Sequence, residues 1–274
     1  MHIFAVANQK GGVGKTTTSV NLAAALALSG QRTLLVDLDP QGNATMGVGI
    51  EKRSLEKTVY QTLLGMAPMA ETRVRSPHVT GAEPGNLYQG HAGHLDVLPA
   101  NRELAGAEVE LVDEDAREHR LKAALALHAS EYDFVLIDCP PSLSMLTLNG
   151  LCAAHGVIIP MQCEYYALEG LSDLVNTIKQ VHANFNPELK IIGLLRVMVD
   201  PRSTLTQNVS DQLVQHFGDK VFKTLIPRNV RLAEAPSYGQ PGVVFDRAAK
   251  GAAAYLAFAQ EMIERVNSPA WANA

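Results

Sequence analysis

Short apolar runs alternating with helical patterns predict an α/β fold, a doubly wound and mostly parallel sheet with helices on both faces. Two further observations support that class. Hydrophobic residues make up 47% of the 274-residue chain but aromatics only 5%, so the core must be built from Ala, Val, Leu and Ile. That composition suits helices packed on a parallel sheet better than an all-β sandwich. A glycine-rich turn also follows the first apolar run directly, at the kind of place where such sheets bind ligands, beyond the carboxyl ends of their strands.

Taken in order, residues 3–7 (IFAVA) form an unbroken apolar run and are expected to be a strand buried on both faces. Residues 16–29 follow with the Ala/Leu-rich pattern of a helix. The runs at 33–36, 95–98, 134–137, 157–160 and 191–197 read as strands for the same reason as the first. Helical periodicity over 104–112, 117–129, 143–153, 168–183, 205–217 and 248–266 separates most of them. Residues 76–94 (SPHVTGAEPGNLYQGHAGH) are rich in Gly, Pro and His without periodicity and are expected to be a surface loop. His78, His91 and His94 in that loop lack the helical or hairpin spacing of a metal site. No repeat or linker interrupts the chain, which implies one domain over 1–266 and a short tail at 267–274.

Composition narrows the setting. Cys139, Cys152 and Cys163 form no C-x-x-C pair and are odd in number, which predicts buried free thiols and a reducing, cytoplasmic compartment. No stretch approaches the ~18 uninterrupted apolar residues of a membrane span. The chain opens on a strand pattern rather than on a basic, cleavable leader. The formal charge is −5, which on its face argues against a nucleic-acid partner, since phosphate contacts need Lys and Arg.

The chemistry is concentrated after the strands. Asn8-Gln9-Lys10-Gly11-Gly12-Val13-Gly14-Lys15-Thr16-Thr17 lies between a strand and a helix. Gly11, Gly12 and Gly14 permit close backbone approach, so that consecutive N–H groups can point into one anion-sized cavity. The following helix presents its positive dipole end to that cavity. Lys15 can reach β- and γ-phosphates and the Thr16 hydroxyl can ligate Mg²⁺. The strict G-x-x-x-x-G-K-[ST] pattern fails at its first position, which is Gln9, and an extra lysine, Lys10, opens the loop close to where phosphate charge would gather. The second strand ends LLVDLDPQGN, where alternation places Asp37 and Asp39 on the same side. The fourth predicted strand ends FVLIDCPP, with Asp138 where phosphate-loop NTPases keep a carboxylate supporting Mg²⁺.

Together KGGVGKTT, VDLDPQGN, IDCPP, QCEYYALEG and IPRNVRLAEAPS resemble the ParA/Soj partition ATPases, within the MinD/ParA class that has a deviant Walker A motif, over residues 1–266. The resemblance implies a phosphate-loop NTPase fold, ATP and ADP as ligands, and Mg²⁺. It implies that Lys10, Gly11, Gly12, Val13, Gly14, Lys15, Thr16 and Thr17 hold the phosphates. Lys10 would cross an ATP-sandwiched homodimer to the partner's nucleotide, Asp39 would position the attacking water, and Thr16 would ligate the metal with Asp37 and Asp138 acting through water. Pro227, Arg228 and Asn229 would pack on the adenine and read its edge. It further implies non-specific double-stranded DNA as a partner, contacted by Arg202 and Arg231, a ParB-type centromere-binding protein that stimulates a slow hydrolysis, and a nucleoid-associated protein in the cytoplasm. Lys220, Lys223, Arg247 and Lys250 are looser DNA candidates with no motif behind them.

Three alternatives are open to the same loop. A MinD-type membrane ATPase needs a basic amphipathic C-terminal helix, whereas residues 259–274 hold one basic residue and two acids. An electron-transfer relative needs paired cysteines, and Cys139 has no C-x-x-C companion. A metabolic ATPase or kinase needs an acceptor pocket that no motif announces. The charge also divides unevenly. Residues 179–250 hold ten Lys/Arg against six Asp/Glu, a net +4, and the remainder carries −9. The total of −5 therefore conceals a modestly basic segment where the resemblance puts the DNA.

Overall fold

The first strand, β1 (His2–Val6), is buried from Ile3 onward and lies in the middle of the sheet, because its side chains serve two cores at once. Ile3 and Ala5 face one apolar cluster, and Phe4 and Val6 face the other. The computed structural model describes residues 1–79, 93–164, 167–268 and 271. Within them the strands are β1, β2 (Arg32–Asp37), β3 (Val74–Arg75), β4 (His94–Leu98), β5 (Phe134–Asp138), β6 (Gly156–Gln162), β7 (Lys190–Val199) and β8 (Val221–Pro227). They join in one sheet in the order β3-β4-β2-β5-β1-β6-β7-β8, parallel throughout except for β3 against β4. The doubly wound, mostly parallel sheet expected from the sequence is the one observed.

The α-helices are α1 (Lys15–Leu28), α2 (Asn43–Gly47), α3 (Val59–Leu63), α4 (Met69–Thr72), α5 (Leu104–Glu110), α6 (Arg120–Ala126), α7 (Met145–Ala153), α8 (Ala167–Asn184), α9 (Thr204–Phe217), α10 (Val230–Glu234), α11 (Gly242–Phe245) and α12 (Lys250–Val266). One face of the sheet carries α1 and α12, whose Leu22, Leu26, Phe258 and Met262 are fully buried against Phe4, Leu35 and Leu136. The other face carries α5 to α9, through Leu104, Leu121, Leu151, Leu174 and Leu213. Burial of apolar side chains on both faces is why the central strands read as continuous apolar runs.

Two strands escaped the sequence pattern. β3 is two residues long. β8 (VFKTLIP) is an edge strand whose Lys223 and Leu225 are exposed, so it shows no apolar run. With β3 counted, the strand that ends at Asp138 is the fifth in the chain, not the fourth. The loop expected over 76–94 is less exposed at its ends than a surface loop. Ser76 and Val79 are buried, Ser76 Oγ donates to Val48 O (3.0 Å), and His94 already belongs to β4. Residues 80–92 of it, with His91, lie outside the described residues. Cys139, Cys152 and Cys163 are free and buried, as expected. Trp271 in the tail packs edge-on against Phe4 and stacks under the Lys190 ammonium. Among the described residues no helix is long and apolar enough to cross a membrane.

Candidate nucleotide site

The carboxyl ends of β2, β5 and β1 bring the sequence-predicted loop and carboxylates together. Val6 of β1 is in register with Asp138, and Asp138 with Asp37 across the next ladder. The glycine-rich turn leaves β1 tied to the neighbouring strand β6, with Asn8 Nδ2 donating to Pro160 O (2.8 Å) and Lys10 N to Asn8 Oδ1 (3.0 Å). Gly12 and Gly14 adopt φ of +74° and +77°, a left-handed backbone that other residues reach only with strain. Gly14 opens α1, whose first N–H groups have no partner within the helix and give the turn its positive end. Lys15 Nζ folds back across the turn to donate to Lys10 O (3.0 Å).

Asp138 is fully buried and both of its oxygens accept from α1 hydroxyls, Thr16 Oγ1 to Oδ2 and Ser19 Oγ to Oδ1, each at 2.8 Å. Because the Thr16 proton is spent on Asp138, the lone pairs of its oxygen remain free for a cation, with the carboxylate behind the hydroxyl orienting it. Asp37 is equally buried. Its Oδ2 accepts from Thr45 N (2.8 Å) and Thr45 Oγ1 (2.7 Å), and its Oδ1 from Asp39 N (3.1 Å). Burial pushes both carboxyls above the ordinary carboxylate range. For Asp138 the charge on Asp37 adds to the rise, and for Asp37 the hydrogen bonds from Thr45 and Asp39 oppose it. Burial lowers the Lys15 ammonium, and the Asp138 charge pulls it back up. Two buried carboxylates in register, met by hydroxyl and amide donors and a lysine, leave excess negative charge beside the turn. A divalent cation held by oxygen ligands fits that deficit.

Asp39 is half-buried at the mouth, its Oδ1 accepting from Gln41 N (2.9 Å). Asp37 and Asp39 therefore differ more than alternation suggested, one sealed behind the sheet edge and the other open to it. Lys10 differs as well. It is half exposed and its ammonium pairs with Glu164 Oε2 at 2.8 Å rather than standing free beside the loop. In the 227–229 segment Arg228 N donates to Val199 O (3.2 Å), and Asn229 Oδ1 caps α10 by accepting from Leu232 N (3.3 Å). Asn21 ties α1 to α11, giving Nδ2 to Thr17 O (2.8 Å) of its own helix and taking Val243 N (3.0 Å). Arg202 and Arg231 stand exposed beyond the ends of β7 and β8, but each is paired: Arg202 with Asp200, and Arg231 with Glu234 and Asp246.

Several contributors were missed from the sequence. Ser19 is three residues after Thr16 on α1, and that helical spacing could have found it. Thr45, which holds Asp37, and Glu164, which pairs with Lys10, carry no such signal. Met198 at the end of β7 adopts φ +53°, a conformation costing a non-glycine residue on the order of 1–2 kcal/mol. Its Cε methyl lies 3.5 Å from where a Cβ on Gly14 would be.

With this geometry in place, comparison with known proteins is decisive. A family model described as an AAA domain matches residues 1–191. The Bacillus subtilis sporulation initiation inhibitor protein Soj is 51% identical, over 95% of this chain and 97% of its own. The Myxococcus xanthus chromosome partitioning protein ParA is 48% identical over 96% and 88%. The chain belongs to the ParA/Soj family of partitioning ATPases. Among solved structures, a Mycobacterium smegmatis protein described as cobyrinic acid a,c-diamide synthase, with bound ATP analogue and magnesium, matches with a TM-score of 0.82 and 39% identity over 98% of this chain and 96% of that one. The same protein has been solved with ADP and magnesium. ParA/Soj membership agrees with the fold and with the loop and carboxylates met in order along the sheet edge.

Proposed function

We propose that this ParA/Soj chain is a Mg²⁺-dependent ATPase that segregates DNA. ATP joins two copies face to face, the dimer binds double-stranded DNA without sequence preference, and hydrolysis stimulated by a ParB-type partner releases it. The observation that carries the reading is the Thr16 hydroxyl oriented at 2.8 Å by buried Asp138, beside a left-handed glycine turn and opposite Asp37. Gly11, Gly12, Val13, Gly14 and Thr17 would cradle the phosphates with backbone and hydroxyl donors, and Lys15 would leave Lys10 O for the β/γ-phosphate oxygens. Mg²⁺ would be held by Thr16 with Asp37 and Asp138 behind it, and would neutralise charge across the phosphate oxygens. Asp39, open at the mouth, would hold the attacking water in line. Lys10 would exchange Glu164 for the partner copy's nucleotide, a cation supplied in trans as an arginine finger is. Pro227, Arg228 and Asn229 would meet the adenine, and Arg202 and Arg231 the DNA backbone.

A membrane-associated MinD-type role has less support. The apolar face of α12, with Tyr255, Phe258, Ala259 and Met262, is spent on the sheet core and leaves no apolar stripe for a bilayer. We infer a cytoplasmic, nucleoid-associated protein. The decisive experiment is DNA binding at fixed salt with ATP, ADP and no nucleotide, against Lys15→Ala. DNA affinity should rise only with ATP in the wild type and not rise in the variant. Equal affinity with ATP and ADP overturns the switch.

A further inference from the structure

The carboxyl end of β7 joins the phosphate loop to the Arg202 turn and to residues 227–229 through one strained residue. Met198 packs its methyl toward Gly14, and its sulfur lies against the Gln162 amide, whose Nε2 also reaches Gly12 O at 3.5 Å. A single amide thus spans a loop carbonyl and the Met198 side chain. Immediately after Met198, Val199 O accepts from Arg228 N (3.2 Å), and Asp200 holds the Arg202 guanidinium through two bonds (3.0 and 3.1 Å) while its carbonyl accepts from Ser203 N (3.1 Å). The turn that carries Arg202 and the segment that carries Arg228 are therefore both anchored to the backbone that leaves Met198. A left-handed methionine is held above its relaxed backbone conformations by its surroundings, and such an over-determined residue can switch between discrete arrangements when one contact moves.

We propose that Met198 and Gln162 are positioning residues that carry the occupancy of the phosphate loop to the Arg202 turn and, through Val199, to residues 227–229. This rests on the reading that a nucleotide fills the loop and that Arg202 meets DNA. A triphosphate draws the loop peptides toward itself. Gly12 O shifts, the Gln162 amide follows it, and the restraint on Met198 changes with it. Linkage makes the effect reciprocal, so DNA on the Arg202 turn alters nucleotide affinity by the same factor.

Hydrogen exchange on the full chain, with and without Mg²⁺ and a slowly hydrolysed ATP analogue and in the absence of DNA, tests the coupling separately from DNA binding. In the wild type the amides of residues 199–204 should change exchange rate at least about threefold on nucleotide binding, a modest effect for coupled sites. In Met198→Gly, which removes both the side chain and the strain, that change should disappear while analogue affinity stays within about twofold of wild type. Gln162→Leu, which cuts the link at the loop and leaves β7 intact, should do the same and serves if Met198→Gly does not fold. Wild-type exchange behaviour in a variant that binds the analogue normally overturns the proposal, as does a wild type that binds the analogue with no change at 199–204. If residues 199–204 respond as expected but DNA affinity is the same with ATP and ADP, the coupling stands and the DNA switch falls.

Discussion

Thr45 offers a sharp test of how the buried carboxylates are held. Its hydroxyl donates to Asp37 Oδ2 at 2.7 Å and accepts from Ala100 N at 2.9 Å, and the residue is fully buried. Thr45→Val keeps the shape and β-branching but deletes both bonds. A hydrogen bond to a buried charged group contributes about 1.5–3 kcal/mol, and an orphaned buried amide costs about 1–3 kcal/mol. The variant should therefore lose ~3–5 kcal/mol of unfolding free energy, read from urea unfolding followed by circular dichroism. The loss should also depend on pH with a definite sign. Burial lifts Asp37 to about 6, while Thr45 pulls it down. A carboxyl raised in the fold costs stability as pH climbs from its ordinary value through its folded one, and removing Thr45 raises Asp37 further. The penalty should be greatest near about pH 8, with Asp37 ionised, and should shrink near about pH 5, where the orphaned Ala100 amide accounts for most of it. A penalty below about 1 kcal/mol, or one equal at the two pH values, would refute the account of Asp37 as a charge held by Thr45.

Three further outcomes follow from the geometry. His155 Nδ1 accepts from Ile3 N (3.1 Å) and burial holds its pKa below the ordinary histidine value, so the stability it gives is full above that value and lost as pH falls through it; the melting temperature of His155→Gln should fall less than wild type between about pH 7.5 and 5.5. Lys10→Ala should leave thermal stability within about 0.5 kcal/mol, because the half-exposed Lys10–Glu164 pair contributes little, yet lower partner-stimulated phosphate release by about 10³ or more if Lys10 is the cation in trans. Arg202→Glu with Arg231→Glu should abolish DNA binding in a mobility-shift assay while ATP-dependent dimerisation by light scattering persists; DNA binding that survives at moderate salt would misplace the surface.

The central strands and their long helices were legible because each obeys a local rule. β1, β2 and β5 are apolar on both faces, and α1 is a run of Ala and Leu after a left-handed Gly14. β8 was not legible because an edge strand with Lys223 and Leu225 exposed has neither period 2 nor a continuous apolar run. Asp37 and Asp138 could be named from their place at strand ends, since parallel register does the rest. Their partners could not. Ser19 in a helix and Thr45 eight residues after Asp37 look like solvated polar residues until the fold buries them. Glu164, which pairs with Lys10, is 154 residues away in sequence, and nothing in the residues around Met198 announces its left-handed backbone.

The net charge also gains a more specific meaning. The excess of +4 over residues 179–250 does not make a bare cationic patch. Arg196 is buried, with its guanidinium bonded to Ser210 Oγ and Phe222 O (both 2.7 Å). Arg202 and Arg231 already sit on carboxylates. On the proposed reading, a DNA phosphate competes with Asp200 for Arg202, and with Glu234 and Asp246 for Arg231. Each exchange swaps one anion for another, so each yields less than a contact from an unpaired arginine. The displaced carboxylates then remain beside the phosphate and repel it. Such a surface binds weakly from one copy and needs a second copy engaged on the same duplex to hold, because joining two weak sites makes the second contact intramolecular. On that reading an acidic chain with pinned arginines is compatible with a DNA partner and favours the state in which two copies are joined.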